Sequence, residues 1–324
     1  MSKLFLGIDT SNYKTSVAAI DELGSIVFNR SEYLDVKQGE KGLRQSEAFF
    51  KHSNILPEFI EDAFHSVNPC DIAAIGVSTR PRRVDGSYMP CFLAGHNLAR
   101  ELSSTLSVPV YSFSHQEGHA AAAMLAHPEL FKEKSLFYHL SGGTTEFLLC
   151  SPDADGFSME IIGGTKDISF GQLLDRIGVK MGMQFPSGIY LDELASNCDL
   201  TKVDPDTLND IKQLVSKPKV DDGQFNLSGL ETKLLRYIDQ DSNNDKLTIV
   251  IKRLFIVIAD LLSATARDAM DRYQIGKTLM AGGVASSSTI RSLINDSSIL
   301  FGEPELSGDN AVGVAILSKM KHIG

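Results

Sequence analysis

Apolar positions along this chain come in two styles, short continuous runs and longer stretches with a helical repeat. Residues 4–9 (Leu-Phe-Leu-Gly-Ile-Asp) form a continuous run that predicts a buried strand. Residues 10–13 are rich in turn formers, and 15–20 predict a returning strand. A third strand is expected after Gly24, at 25–28. The spacing predicts a helix over 46–67 with a break or kink near Pro57. A strand at 72–78, a helix over 92–106 and a strand at 108–111 follow. The style then begins again: a strand at 136–140, a turn of small residues at 141–146 and a strand at 147–150. Strand–turn–strand thus occurs near residue 4 and near residue 136, and this repeat predicts two related α/β halves. Further on, 221–233 holds turn residues and one compact motif, 248–270 reads as a long core helix, and 278–281 as a strand. Residues 282–288 open a helix, and 309–320 form a closing one. No low-complexity linker separates the halves, so they are expected to pack closely around a cleft.

Composition narrows the classes. At 324 residues and 43% hydrophobic, the chain is long enough for two ordinary domains. Its net charge of -10 argues against holding nucleic acid by a broad electrostatic footprint. Action on RNA would need a local basic patch or a partner protein. Cys70, Cys91, Cys150 and Cys198 are scattered without a CxxC pair, so neither a zinc ribbon nor a disulfide framework is indicated. The N-terminal apolar run is brief and lacks a cleavage pattern, and no apolar run reaches membrane-spanning length. A soluble, cytoplasmic protein is expected.

Candidate chemistry is concentrated in His115-Gln116-Glu117-Gly118-His119, which opens an alanine-rich run of strong helix formers. Histidines at i and i+4 project from one helix face, so both imidazoles can reach one metal ion. The zinc-protease version carries its glutamate directly after the first histidine. Here that place is Gln116, and Glu117 turns away from the histidine face, so a peptidase mechanism is not supported. The plainer alternative is a helix with two surface histidines. Asp309 is the third candidate metal ligand, or else an N-cap of the last helix. Two histidines and a carboxylate leave coordination positions open, which suits a substrate-holding site. Ser141-Gly142-Gly143 and Gly282-Gly283 are small-residue turns whose amides can face a phosphate, and Ser286 to Ser288 are expected in the first turns of the helix that follows. Either turn can equally be no more than a tight turn. Asp167 reads as a site residue or a cap. Asp175 reads as a solvated partner of Arg176, and Gly171 interrupts the segment between Asp167 and Asp175.

Six segments in order resemble the ATP-dependent tRNA threonylcarbamoyltransferase family (TsaD-type), formerly called O-sialoglycoprotein endopeptidases or M22 glycoproteases. Gly7-Ile8-Asp9-Thr10-Ser11 with Thr15-Ser16-Val17 is similar to its first hairpin, and 115–119 to its metal-binding HxEGH. Ser141 to Glu146 is similar to SGGHTE, and 226–232 to FSFSGLKT. Residues 281–285 match AGGVA, and 308–311 stand where the family has TDNGA. The resemblance implies an actin-like ATPase (ASKHA) fold with nucleotide in the cleft between two α/β domains, 1–133 with 309–324 and 134–308. It implies an acyltransferase that moves a threonylcarbamoyl group from an acyl-adenylate to tRNA adenosine. His115, His119 and Asp309 would hold one divalent metal ion, iron or zinc. Ser141, Gly142, Gly143, Asp167, Gly188, Gly282 and Gly283 would contact ATP or the acyl-adenylate. The implied partners are the proteins of a threonylcarbamoylation complex, including a TsaB-type paralogue; tRNA would be reached through a partner or a local basic patch, and no membrane is involved.

Departures from the family pattern point to a diverged paralogue. The family's CDET is Asn12-Tyr13-Lys14-Thr15, and its GPGLVG loop is Arg80-Pro81-Arg82-Arg83-Val84-Asp85-Gly86. Its DDAAGEAFDK becomes 167–176 with the second aspartate lost, and YPGGP becomes Phe185 to Ile189. Lys14, Arg80, Arg82 and Arg83 therefore add positive charge that takes a phosphate or carboxylate differently, with Lys14, Arg82 and Arg83 the candidates for an altered pocket, or else they are ordinary solvated charges. Two other functional readings stay open: carbamoyl transfer to another acceptor, and a non-catalytic nucleotide-binding scaffold.

Overall fold

The computed structural model describes residues 3–11, 13–35, 43–240, 243–308 and 311–324. The chain divides into two compact units, one of 1–133, 151–159 and 305–324 and the other of 134–150 and 160–304. The tip of a hairpin, 151–159, belongs to the first unit, and the chain returns to that unit at Glu305.

In the first unit, β1 (Leu4–Thr10) is buried throughout, as its apolar run predicts, and pairs antiparallel with β2 (Lys14–Asp21). β3 (Ile26–Tyr33) extends the meander well past the expected 25–28 and is largely exposed, which places it at the sheet edge. The helix α1 (Gln45–Ser66) turns Ala48, His52, Leu56, Phe59, Ile60 and Ala63 inward. It runs without interruption through Pro57, because proline forgoes a single amide bond in a helix whose other bonds and buried face remain. Then come β4 (Ile72–Arg80), α2 (Phe92–Leu106), β5 (Val110–Ser114) and, with no intervening loop, α3 (His115–Met124). The sheet order is β3-β2-β1-β4-β5, with β4 parallel to both β1 and β5.

The second unit repeats the plan. β6 (Ser135–Leu140) pairs antiparallel with β7 (Thr145–Asp153), followed by β8 (Gly156–Thr165), α4 (Phe170–Lys180), α5 (Gly188–Asn197) and α6 (Pro205–Leu214). The short β9 (Gln224–Phe225), α7 (Ser228–Gln240), α8 (Asn244–Tyr273), β10 (Thr278–Ala281), α9 (Ser288–Leu293) and β11 (Ile299–Phe301) complete it. The order is β11-β10-β6-β7-β8-β9, so β10 and β11 stand parallel beside β6 as β4 and β5 stand beside β1. The core is α8 laid on this sheet, with Tyr138 stacked on Phe147 at 3.8 Å between centroids. Gly171 does not interrupt α4: it is a packing residue, since a Cβ there would fall 2.4 Å from the Cα of Gly142.

The chain closes in the first unit with α10 (Ala311–Ile323); the expected start at Asp309 lies outside the described residues. This helix lies almost on the backbone of its neighbours. A Cβ at Gly7 would sit 2.0 Å from the carbonyl of Ala311, and one at Gly313 would sit 1.9 Å from the carbonyl of Gly118. Only glycine permits such approaches, and they fix α10 against the middle of β1 and against α3.

Candidate functional site

The first unit presents its chemistry where β1 and β4 end. Asp9 is fully buried near the end of β1, after the apolar run from Leu4 to Ile8. Its Oδ1 accepts the Nδ1–H of His115 at 2.9 Å and the hydroxyl proton of Ser78, while Oδ2 is buried without a hydrogen-bond partner. Burial pushes this carboxyl up, but the His115 charge and the hydrogen bonds from His115 and Ser78 outweigh it and hold Asp9 below the usual carboxylate range. With Nδ1 occupied, the lone pair of His115 is at Nε2. A carboxylate behind the ring is the arrangement that orients metal-bound histidines. The ring of His119, one turn on, lies 4.7 Å from that of His115 between centroids.

The helix start that carries this pair is rigidly built. The Ser114 hydroxyl accepts from the amide of Glu117, and the Glu117 carboxylate accepts from the amide of Ser114 at 2.8 Å, a complete capping box. Glu117 is thus employed in the fold and faces away from the histidines, as its place two residues after His115 predicts. His115 and His119 suit a divalent first-row metal as two nitrogen donors of one helix face. Asp309, the expected third ligand, lies outside the described residues, and no group of three candidate ligands occurs among those that are described.

Two residues support the adjacent turn. His52 is buried; its Nε2–H donates to the carbonyl of Ser11 at 2.6 Å, so its Nδ1 accepts from the Thr15 hydroxyl at 2.7 Å. Burial pushes this imidazole down, against the opposing pull of the Ser11 carbonyl and the Asp9 charge. Lys14 donates to the carbonyl of Gly308 at 2.6 Å and lies over the Tyr33 ring. Cys91 is buried beside Asp9, and burial together with that charge pushes its thiol up to about 12, which makes it a poor nucleophile.

The basic loop behaves differently at each position. Arg83 is held by both oxygens of Asp153 at 2.8 and 2.9 Å and donates to the carbonyl of Phe157 at 3.2 Å. It also stands 3.6 Å from Glu117. These partners make Arg83 an anchor for the 151–159 tip. The Arg82 main-chain amide donates to the Ser87 hydroxyl at 3.0 Å.

The second unit gathers its glycine turns. The β6–β7 turn is closed by the Ser141 amide on Thr144 and by the Thr144 amide on the Ser141 hydroxyl. Gly142 and Gly143 are exposed, with open space where side chains would stand. Gly282, at φ +109, brings the β10 end against this turn: a Cβ there would meet the Leu140 carbonyl at 2.4 Å. Gly283 faces open space, and Val284 donates to Leu140 at 2.9 Å. Ser141-Gly142-Gly143 and Gly282-Gly283 are therefore neighbours. Gly188 opens α5, after a corner where Asp175 accepts the Ser187 amide at 2.7 Å. Arg176 pairs with Glu231 at 2.9 Å rather than with Asp175.

Asp167 works as a clamp. Its carboxylate accepts from the amides of Leu227 at 2.9 Å and Ser228 at 3.0 Å, and from Ile168 at 2.7 Å. Burial raises this group, but the bonds from Leu227 and Ser228 prevail and hold it far below the usual range.

The serine helix start expected to receive an anion already has one. α9 begins only at Ser288, and Asp192 accepts from the Ser287 hydroxyl at 2.6 Å, the Ser288 amide at 2.9 Å and the Thr289 amide at 3.0 Å. Sequence reasoning also passed over Asp9, Ser78 and His52. An acid directly after the apolar run 4–8 was the available signal for Asp9.

Comparison with solved structures shows the fold. Full-length HypF in its phosphate- and nucleotide-bound form matches with a TM-score of 0.60 at 13% identity, over 99% of this chain and 56% of that one. A ROK family protein from Streptococcus pneumoniae TIGR4 matches at 0.56 and 12% identity, over 100% and 99% of the two chains. Component A of (R)-2-hydroxyglutaryl-CoA dehydratase from Acidaminococcus fermentans matches at 0.55 and 14% identity, over 99% and 100%. These are actin-like ATPase folds, and this chain has that fold. Among curated relatives, the tRNA N6-adenosine threonylcarbamoyltransferase of Thermotoga neapolitana is 28% identical over 319 residues, 96% of this chain and 91% of the relative. That of Clostridium kluyveri is 29% identical over 322 residues, 94% and 89% of the two. The family model for TsaD, tRNA N6-adenosine threonylcarbamoyltransferase, matches residues 25–316, and the chain belongs to that family.

Proposed function

We propose that this chain is an acyltransferase that moves a threonylcarbamoyl or similar carbamoyl-type group from an acyl-adenylate to the amine of an adenosine in tRNA. The observation that carries the reading is the hydrogen bond from His115 to the buried Asp9, which orients that imidazole beside the His119 ring in a chain of this family. His115 and His119, with Asp309, are the residues that would hold a divalent metal, iron or zinc. When bound, such an ion polarises a carbonyl as a Lewis acid.

The protein's own residues supply position and charge. Asp9 keeps His115 in one tautomer and one orientation, so Nε2 stays an electron-pair donor. In the second unit, the neighbouring Ser141-Gly142-Gly143 and Gly282-Gly283 turns give backbone amides free of overhanging side chains, which suits the phosphate of ATP or of an acyl-adenylate. Asp167 holds the start of α7, and Gly188 keeps the start of α5 unobstructed. Direct attack by the amine needs no protein nucleophile, in keeping with the suppressed Cys91 thiol. The net charge of -10 leaves tRNA capture to a local basic patch or to partner proteins, a TsaB-type paralogue among them.

A second reading, transfer to a different acceptor, is favoured by Lys14, whose ammonium stands on the Gly308 carbonyl, where the family resemblance puts an acid. One assay separates the two: transfer of threonylcarbamoyl to tRNA with the partner proteins present. Modified adenosine that disappears in His115→Ala supports the first reading. Metal-loaded, nucleotide-binding protein that leaves tRNA unmodified supports the second.

A further inference from the structure

We propose that the first unit carries a separate binding site for a small phosphate-type oxyanion, in a cavity of about 240 Å³ beside the Glu117 face of α3. Arg80, Arg83, Ser112, Glu117, Asp155 and Lys321 line it, so every lining side chain is polar or charged. The site is distinct from the histidine pair. Two residues along a helix turn roughly 200° about its axis, so Glu117 faces away from His115.

The charges leave one cation unanswered. Glu117 is satisfied by the amide and hydroxyl of Ser114 at 2.8 and 2.7 Å and by the Phe157 amide at 3.3 Å. Arg83 is answered by Asp153 and the Phe157 carbonyl through Nη1. Asp155 is matched by Lys321 at 2.6 Å and Arg83 at 3.5 Å. Arg80, at the end of β4, is different: its Nε is buried and has no hydrogen-bond partner. No carboxylate among the described residues pairs with this guanidinium, so its outer N–H groups remain for the oxygens of an oxyanion.

Arg80 comes from β4, Ser112 from β5 and Lys321 from α10, so donors from three elements line the cavity, which suits an anion with several acceptor oxygens. An ammonium has three protons, which lets Lys321 serve Asp155 and an anion together. The two acids do not repel the ligand from uncompensated positions, because each already faces a cation. The ligand is free phosphate or the phosphate of a small phosphorylated molecule.

The test is calorimetric titration of the full chain with inorganic phosphate and with glycerol 3-phosphate. It is run on the wild type and on a Gly283→Trp variant that obstructs the glycine turns. Saturable binding that persists in Gly283→Trp and in His115→Ala, and weakens about tenfold or more in Arg80→Gln, supports the site. Tighter binding of glycerol 3-phosphate than of phosphate assigns the site to phosphorylated metabolites, and the reverse assigns it to phosphate. No saturable binding, equal affinity in Arg80→Gln, or loss in Gly283→Trp overturns the proposal. Should Arg80→Gln fail to fold, Ser112→Ala and Lys321→Met replace it, and unchanged affinity in both is equally fatal.

Discussion

Asp9 accepts the Nδ1–H of His115 through one carboxylate oxygen at 2.9 Å, while its other oxygen is buried without a partner. The pair joins residues 106 positions apart, from the end of β1 to the start of α3. It converts a surface-type histidine into an imidazole with a fixed donor atom. Asp9→Asn keeps an acceptor but removes the charge behind the ring. Metal affinity, read by elemental analysis after competition with a chelator, should fall roughly 10–100-fold, the usual cost of losing a supporting carboxylate. An undiminished metal content would show that Asp9 serves the fold alone.

His52 gives the fold a pH dependence of predictable sign. Its folded-state value lies below the ordinary imidazole value of about 6.5, first because it is buried. The unfolded chain therefore takes up the proton first. Stability attributable to His52 is present above about pH 6.5 and is lost as pH falls through the lower folded value. Urea midpoints should drop between about pH 7 and pH 5, and His52→Gln, which can still bond the Ser11 carbonyl, should flatten that drop. An identical slope in the variant would assign the acid sensitivity to other groups.

Much of this architecture was legible in the chain because it is periodic. The strand–turn–strand repeats near residues 4 and 136 and the long α8 follow from continuous or helically spaced apolar positions. The segment from 156 to 214 was not legible: glycines at 163, 164, 171 and 178 and scattered acids break any pattern. Yet those glycines are where backbones touch, as at Gly171 on Gly142. Side-chain pairs across long separations leave no periodic trace either. Asp9 with His115 and Asp192 with the start of α9 depend on which strand ends lie together, which only the folded sheet decides.

Glycine contacts differ sharply in what they tolerate. At Gly313 a methyl group would press on the Gly118 carbonyl at 1.9 Å, backbone against backbone, with no side chain to swing away. Gly313→Ala should cost about 3 kcal/mol or more, as overpacking of a rigid contact does. Gly142→Ala, facing open space, should change stability by no more than about 0.5 kcal/mol. Chemical denaturation of both variants checks the contrast, and similar costs would refute it.

Asp167 is expected to act on α7 before it acts on any ligand. It holds the amides of Leu227 and Ser228 at the start of that helix, and Asp167→Ala should cost about 1 kcal/mol, as loss of a helix cap does. Hydrogen exchange at residues 227–231 should quicken in this variant without nucleotide present. Unchanged exchange together with weakened nucleotide binding would instead make Asp167 a direct ligand contact.

The last expectation concerns the departures from the family pattern. Lys14 places a positive charge on the carbonyl of Gly308, immediately before Asp309, where the resemblance puts an acid. An ammonium there competes with a cation for the same region and offers an attraction to carboxylate or phosphate groups that an acid would repel. Arg83, by contrast, spends its charge on Asp153, Glu117 and Asp155, so the loop substitution at that position alters the fold of the 151–159 tip more than the charge of a pocket. Lys14 is thus the substitution with the greater consequence for substrate. Expressed in a strain lacking the housekeeping threonylcarbamoyltransferase, this chain should rescue growth weakly or not at all, and Lys14→Glu should improve the rescue. Full rescue by the unaltered chain, abolished by His115→Ala, would show that the lysine is tolerated and that the ordinary family reaction is the one performed.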